Sequence, residues 1–238
     1  MLVAYTPSAK AAVADIEATI KLAVAEANQS YKNSDIKIKL YLVDSFEITY
    51  SETDKDDGTI LDDFKKNADV KTRRDNSSAD LAVLIMNHPR WNGLAEKIMA
   101  DESTAFAIVH YAAATGNYSF AHELEHLMGA RHNNDPTTAP FPYAHGYQYK
   151  GNPSWRTIMS YSRDCPGECP RLQYWSNPKV SSPSVCEFCG EGHPEGSWCC
   201  GFGFPMGTAQ TNDNARVLNE TATTVAAFRT HRGGSPPH

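Results

Sequence analysis

The chain has 238 residues, 41% of them hydrophobic, with 22 Lys+Arg against 28 Asp+Glu and a formal net charge of −6. At about 150 residues per domain the length gives roughly 1.6 domains, so one large domain or two unequal lobes, and the apolar content excludes wholesale disorder. No basic stripe suits nucleic acid, and no apolar run of about 18 residues suits a membrane span.

Leu2–Tyr5 reads as an opening strand ended by Pro7. The start lacks the layout of a signal peptide, which leaves an intracellular protein or one whose targeting segment has been cut away. Residues 8–29 read as an amphipathic helix, because Val13, Ile16, Ile20, Val24 and Ala27 recur at spacings of three and four. Ile36, Ile38, Leu40 and Leu42 alternate with polar or amphipathic residues, which predicts a half-buried strand. The acidic run Glu52–Gly58 lacks the spacing and closing Glu of an EF-hand, so calcium is not indicated; a turn or helix N-terminus is expected. A helix over about 55–67 follows. Leu81–Met86 is an unbroken apolar run, the pattern of a central strand buried on both faces, and Ala105–His110 looks like another strand. Thr115–Met128 reads as a helix ended by Gly129. The alternation implies a βαβ-type sheet with crossover helices.

From Asn133 to Gly207 the chain is rich in Pro, Gly, Asn and Cys and shows no long periodicity; a helical pattern resumes over 212–230, and 233–238 reads as a loose tail. All six cysteines (Cys165, Cys169, Cys186, Cys189, Cys199 and Cys200) fall in the irregular stretch. An even count in so short a span suits disulfides and an oxidising, extracellular setting, with about 15 connectivities open. The rival is a structural zinc site built on Cys186 and Cys189 with Cys199, Cys200 or His193.

Residues 122–132 carry the chemistry: His122-Glu123-Leu124-Glu125-His126-Leu127-Met128-Gly129-Ala130-Arg131-His132, or H-E-x-x-H-x-x-G-x-x-H. Positions i and i+4 of a helix share one face, so His122 and His126 point the same way and can hold Zn2+. Glu123 can lean toward a metal-bound water. Gly129 breaks the helix and permits the turn that returns His132 to the metal. Three nitrogen ligands leave a fourth position open, the arrangement of a catalytic site.

This motif is that of the metzincin zinc proteases. Thr157-Ile158-Met159-Ser160-Tyr161 resembles the family's Met-turn, with Met159 beneath the metal and Tyr161 placed to donate to an oxyanion. Five further segments resemble the bacterial peptidyl-Asp metalloendopeptidase group and its reprolysin-like relatives: Leu2–Pro7, Asn92–Ala95, Ala144–Tyr147, Tyr174–Pro178, and Asn214–Arg216 with Phe228-Arg229. The sequence departs from that group at Glu125, where glycine is usual, and at Asn133, where aspartate is usual. Neither is a ligand, and Glu125 is expected to face solvent.

The resemblance implies an α+β, metzincin-like fold forming a single catalytic domain. Its N-terminal lobe (1–132) has a twisted mixed sheet and the zinc-binding helix; its C-terminal lobe (133–232) is smaller, disulfide-rich and ends in a helix. It implies a secreted zinc endopeptidase, made with an inhibitory propeptide and monomeric, acting on protein or peptide substrates. Glu123 is general base and then acid. Thr104–His110 resembles the strand that pairs in antiparallel fashion with extended substrate. The loop after the Met-turn, roughly 162–185, builds the primed-side pocket. Its cations Arg163, Arg171 and Lys179 suit an acidic side chain after the scissile bond, with a hydrophobic preference as the rival. Two other classes stand beside this one: an inactive zinc-binding module, and an effector or toxin with one protein target.

Overall fold

The computed structural model describes residues 1–88, 92–183, 186–188, 198–200 and 203–229, with 186–188 and 198–200 described by backbone alone. Strand β1 (Leu2–Tyr5) is wholly buried, and Thr6 then caps α1 (Pro7–Ala11) by accepting from the Ala9 amide, with proline at the first helical position. Asp15 caps α2 (Ile16–Asn33) in the same way. The single helix predicted over 8–29 is therefore two. Two local side-chain caps outcompete continuous apolar periodicity.

The strand predicted over 36–42 is also absent. That segment is extended and packs alternate side chains inward, but its backbone groups are satisfied by helix side chains instead of a ladder. Asn28 bonds both the amide and the carbonyl of Leu40, and Asn219 accepts from the Lys37 amide. The strand comes just after it, as β2 (Asp44–Glu47). Helices α3 (Asp57–Lys66) and α4 (Ala68–Asn76) follow, capped by Asp56 and Asn67. Then come β3 (Ala82–Met86), β4 (Gly93–Ala95), β5 (Phe106–His110), α5 (Tyr111–Ala114) and α6 (Ser119–Leu127). Thr115–Met128 thus begins as a turn, and its helix starts four residues late.

The sheet runs β2-β1-β3-β5-β4, with β4 antiparallel to β5 and the other pairs parallel. Alternate strand residues feed two cores. Val3, Val83, Ile85 and Val109 pack with Ile20 of α2 and Leu124 of α6. Leu2, Leu84 and Ile108 pack with Ile60, Phe64 and Val70 of α3 and α4. Strand β5 lies between β3 and β4, so it is paired on both edges and cannot receive a substrate strand; β4 is the antiparallel edge.

The rest of the chain adds two short ribbons, β6 (Gln148–Tyr149) with β7 (Trp155–Arg156) and β8 (Cys186–Phe188) with β9 (Trp198–Cys200), and α7 (Asn214–Val225), shorter than the 212–230 predicted. Trp175, fully buried, stacks on Tyr31 of α2 and donates to Ser30. Thr221 of α7 donates to the Met128 carbonyl at the end of α6. Cys165 and Cys169 form a disulfide. The β8–β9 register sets Cys186 opposite Cys200. The alternative zinc site and the 233–238 tail rest on residues and side chains outside the described ones.

Candidate metal centre and active site

Helix α6 is buried along its whole length, so each polar side chain on it needs a partner. His122 and His126 sit one turn apart. After Met128 the chain turns at Gly129, where φ is +104°, a region glycine enters without penalty. Arg131 then bridges His145, its amide donating to the Ala144 carbonyl, and this pairing swings His132 back over α6. The His132 Nε2 lies 2.9 Å from Nε2 of His122 and 3.0 Å from Nε2 of His126.

The outer nitrogens decide what this cluster can hold. His122 Nδ1 meets the Ile158 carbonyl at 3.0 Å, and His126 Nδ1 meets the Ala130 carbonyl at 2.8 Å. A carbonyl only accepts, so both Nδ1 atoms carry the proton and both Nε2 atoms present lone pairs. His132 can donate to one of them at most. Burial holds all three rings neutral, His126 down at about 4 and His132 at about 3, with His122 well below the usual imidazole value. Three converging nitrogens on neutral rings, two of them with lone pairs fixed by their tautomer, fit a divalent cation, and this is the single three-ligand cluster among the described residues. The Met-turn contributes through its backbone: the carbonyl fixing His122 belongs to Ile158, the neighbour of buried Met159.

The cluster opens on a cleft of about 760 Å3. One wall is α6 with Glu123. Burial pushes the Glu123 carboxyl up to about 8, opposed by a backbone hydrogen bond from Ala95 and by the charge of Arg171. Facing it is β4. Its ladder bonds run through Asn92 and Glu96, so Gly93 and Ala95 turn their amides and carbonyls to the free edge. Tyr161 is 41% exposed, with its ring 4.2 Å from that of His132. Its amide donates to Asn133 Oδ1, so the residue after the third histidine positions the tyrosine.

Of the three cations expected near the cleft, Arg171 lies on its wall, while Arg163 and Lys179 are exposed and do not line it. Glu125 does not face solvent. It is fully buried behind the cleft and accepts from Tyr31 of α2. The sequence reading missed Ala95, Asn117 and Asn133 as supports. A glycine interrupting the apolar segment 93–95 is the one local sign of close approach there.

A model of metallopeptidase family M12, of the reprolysin type, matches residues 1–176. The chain belongs to metallopeptidase family M12. Among similar M12 proteins, a peptidyl-Asp metalloendopeptidase of Stenotrophomonas maltophilia (strain R551-3) is 42% identical, over 96% of this chain and 52% of its own length. One from Xanthomonas campestris pv. campestris is also 42% identical, over 96% and 51%. One from Pseudomonas fragi is 34% identical, over 86% of this chain and 100% of its own. The chain thus spans about half the length of the first two relatives. A solved chain described as "Structure of a chaperone-substrate complex" superposes with a TM-score of 0.70 over 97% of this chain and 35% of that one; at 18% identity it speaks to the fold alone.

Proposed function

We propose that this M12 chain is a secreted zinc endopeptidase with a preference for an acidic side chain after the scissile bond. The observation that carries the hydrolytic reading is the convergence of three neutral Nε2 atoms beside a buried carboxylate, on the floor of a cleft bounded by a free strand edge. The activity named for the relatives, peptidyl-Asp metalloendopeptidase, supports the acidic preference, and the Cys165–Cys169 bridge supports an oxidising compartment.

His122, His126 and His132 would hold the zinc, which supplies Lewis-acid chemistry when bound, acidifying water and polarising a carbonyl. The remaining work falls to the chain's own groups. The main chain of Gly93 and the carbonyl of Ala95 offer partners to an extended peptide, as strand addition requires, the Ala95 amide being engaged by Glu123. Glu123 takes a proton from the attacking water and returns it to the departing amine. Its enclosure, which favours the protonated carboxyl, keeps it a usable base at neutral pH once a cation lies nearby. Tyr161, whose hydroxyl burial keeps protonated, donates to the oxygen that gains charge.

Zinc content and peptide cleavage, measured for the wild type beside Glu123→Ala, test this reading. One zinc per chain in both, with turnover reduced at least about 10^3-fold in the variant, is expected. Turnover near wild type in Glu123→Ala would remove Glu123 from the mechanism.

A further inference from the structure

We propose that Arg171 is the residue that reads the acidic side chain, and that Asn117 positions it; the proposal rests on the endopeptidase reading above. Arg171 lies on the cleft wall with His122, Glu123, Tyr161 and Ser119. Its Nη1 donates to the Asn117 carbonyl at 2.8 Å and approaches Asn117 Oδ1 at 3.4 Å. Its Nε is enclosed and has no partner among the described residues. Arg131 pairs with Asp135 and Arg216 with Glu220, but Arg171 has no carboxylate at ion-pair distance among the described residues; the charge of Glu123 reaches it from further along the wall.

A guanidinium removed from water without a counter-ion is costly. Its planar fork matches a carboxylate in two-point geometry, which the shorter point charge of a lysine does not reproduce. A carboxylate in contact with the fork is what the described residues do not supply and a substrate can bring. Glu123 lies on the same wall, but it faces Ala95 and is committed to proton transfer.

The backbone around Arg171 is built to hold it still. Its strand-like bridge to Arg156 is closed by the Arg156 amide on Pro170 and the Leu172 amide on Arg156. The Arg156 side chain reaches the carbonyls of Cys169 and Ser160, and Cys169 is tied to Cys165. Asn117 precedes Tyr118, whose left-handed φ of 60° starts α6, so the anchor and the metal ligands hang from one element. Arg163 and Lys179 carry the same charge without such support and stand outside the cleft.

The test compares peptides that differ only in having Asp, Asn or Leu after the scissile bond, using zinc-loaded wild type, Arg171→Leu, Arg171→Lys and Asn117→Ala. The Asp-to-Leu ratio of kcat/KM is expected to fall about 10- to 100-fold in Arg171→Leu, the range lost with a desolvated charge-assisted pair. A partial fall is expected in Arg171→Lys, and a smaller one, carried mainly by KM for the Asp peptide, in Asn117→Ala, which keeps the 2.8 Å main-chain contact and removes only the 3.4 Å one. An unchanged ratio overturns the proposal, whether both rates hold or both drop together; a joint drop would mean that Arg171 acts on Glu123 and not on substrate. If Arg171→Leu loses cooperative melting or zinc, the Lys variant decides by the same ratio. Failure of the wild type to cleave any of the peptides while holding zinc overturns the endopeptidase reading itself, an outcome distinct from an unchanged ratio.

Discussion

Glu125 shares a helix with His122 and His126 of the three-histidine cluster, yet its carboxyl points away from them into the core. There it accepts from the Tyr31 hydroxyl, and its second oxygen has no partner among the described residues. Burial pushes it up to about 8, with the tyrosine hydrogen bond opposing. A group so placed depends on its one partner. Tyr31→Phe should therefore cost about 1–3 kcal/mol, read as a shift of the urea midpoint at unchanged slope. An unshifted midpoint would mean that the carboxyl has a second donor. Alternation and helical spacing say which face a residue occupies, not which neighbour waits there. The contact joins residues 94 positions apart, and this distance kept it out of the sequence reading.

At the scale of elements, the cleft depends on how near β4 comes to α6. A Cβ on Gly93 would stand 2.6 Å from Glu123 Cγ and 2.9 Å from the Ile108 carbonyl, closer than atoms pack. Gly93→Ala should displace the Glu123 side chain and lower kcat about 100-fold, with zinc content unchanged. Loss of zinc together with activity would instead place the damage in α6. The helix bearing the histidines was legible, because its motif is local and its spacing is set by 3.6 residues per turn. The edge strand was not. It has three residues, too short for a period, and its function comes from position at the end of the sheet. The same limit explains why the resemblance points to Thr104–His110 as the substrate-facing strand: composition identifies a strand, and pairing order decides whether its edge is free.

For the molecule as a whole, a cation on three neutral nitrogens couples metal occupancy to folding. Zinc bound at a hundredfold above its Kd adds about 2.7 kcal/mol to the folded state, or about 5–10 °C for a chain of this size. EDTA should lower Tm by that amount, and added zinc should restore it. A Tm indifferent to EDTA would argue that the histidines hold no exchangeable metal. The central strands were plain in the sequence because residues buried on both faces are apolar without interruption. From residue 133 on, the closing helix and the Met-turn were legible and the path of the chain between them was not. Its order comes from scattered side-chain bonds such as Trp175 to Ser30, Asn177 to Ser34 and Asn214 to Ala144, and such bonds leave no periodic trace.

The free edge of β4 has a cost for the protein that carries it. A strand that accepts extended polypeptide by its main chain does not ask whose polypeptide it is, and the most abundant unfolded chain near a newly made copy is a sibling still folding. With only three residues on offer, the grip on any one stranger is brief. Under the endopeptidase reading proposed above, a sibling caught there would also be a substrate, which puts a premium on folding fast or folding while the cleft is covered.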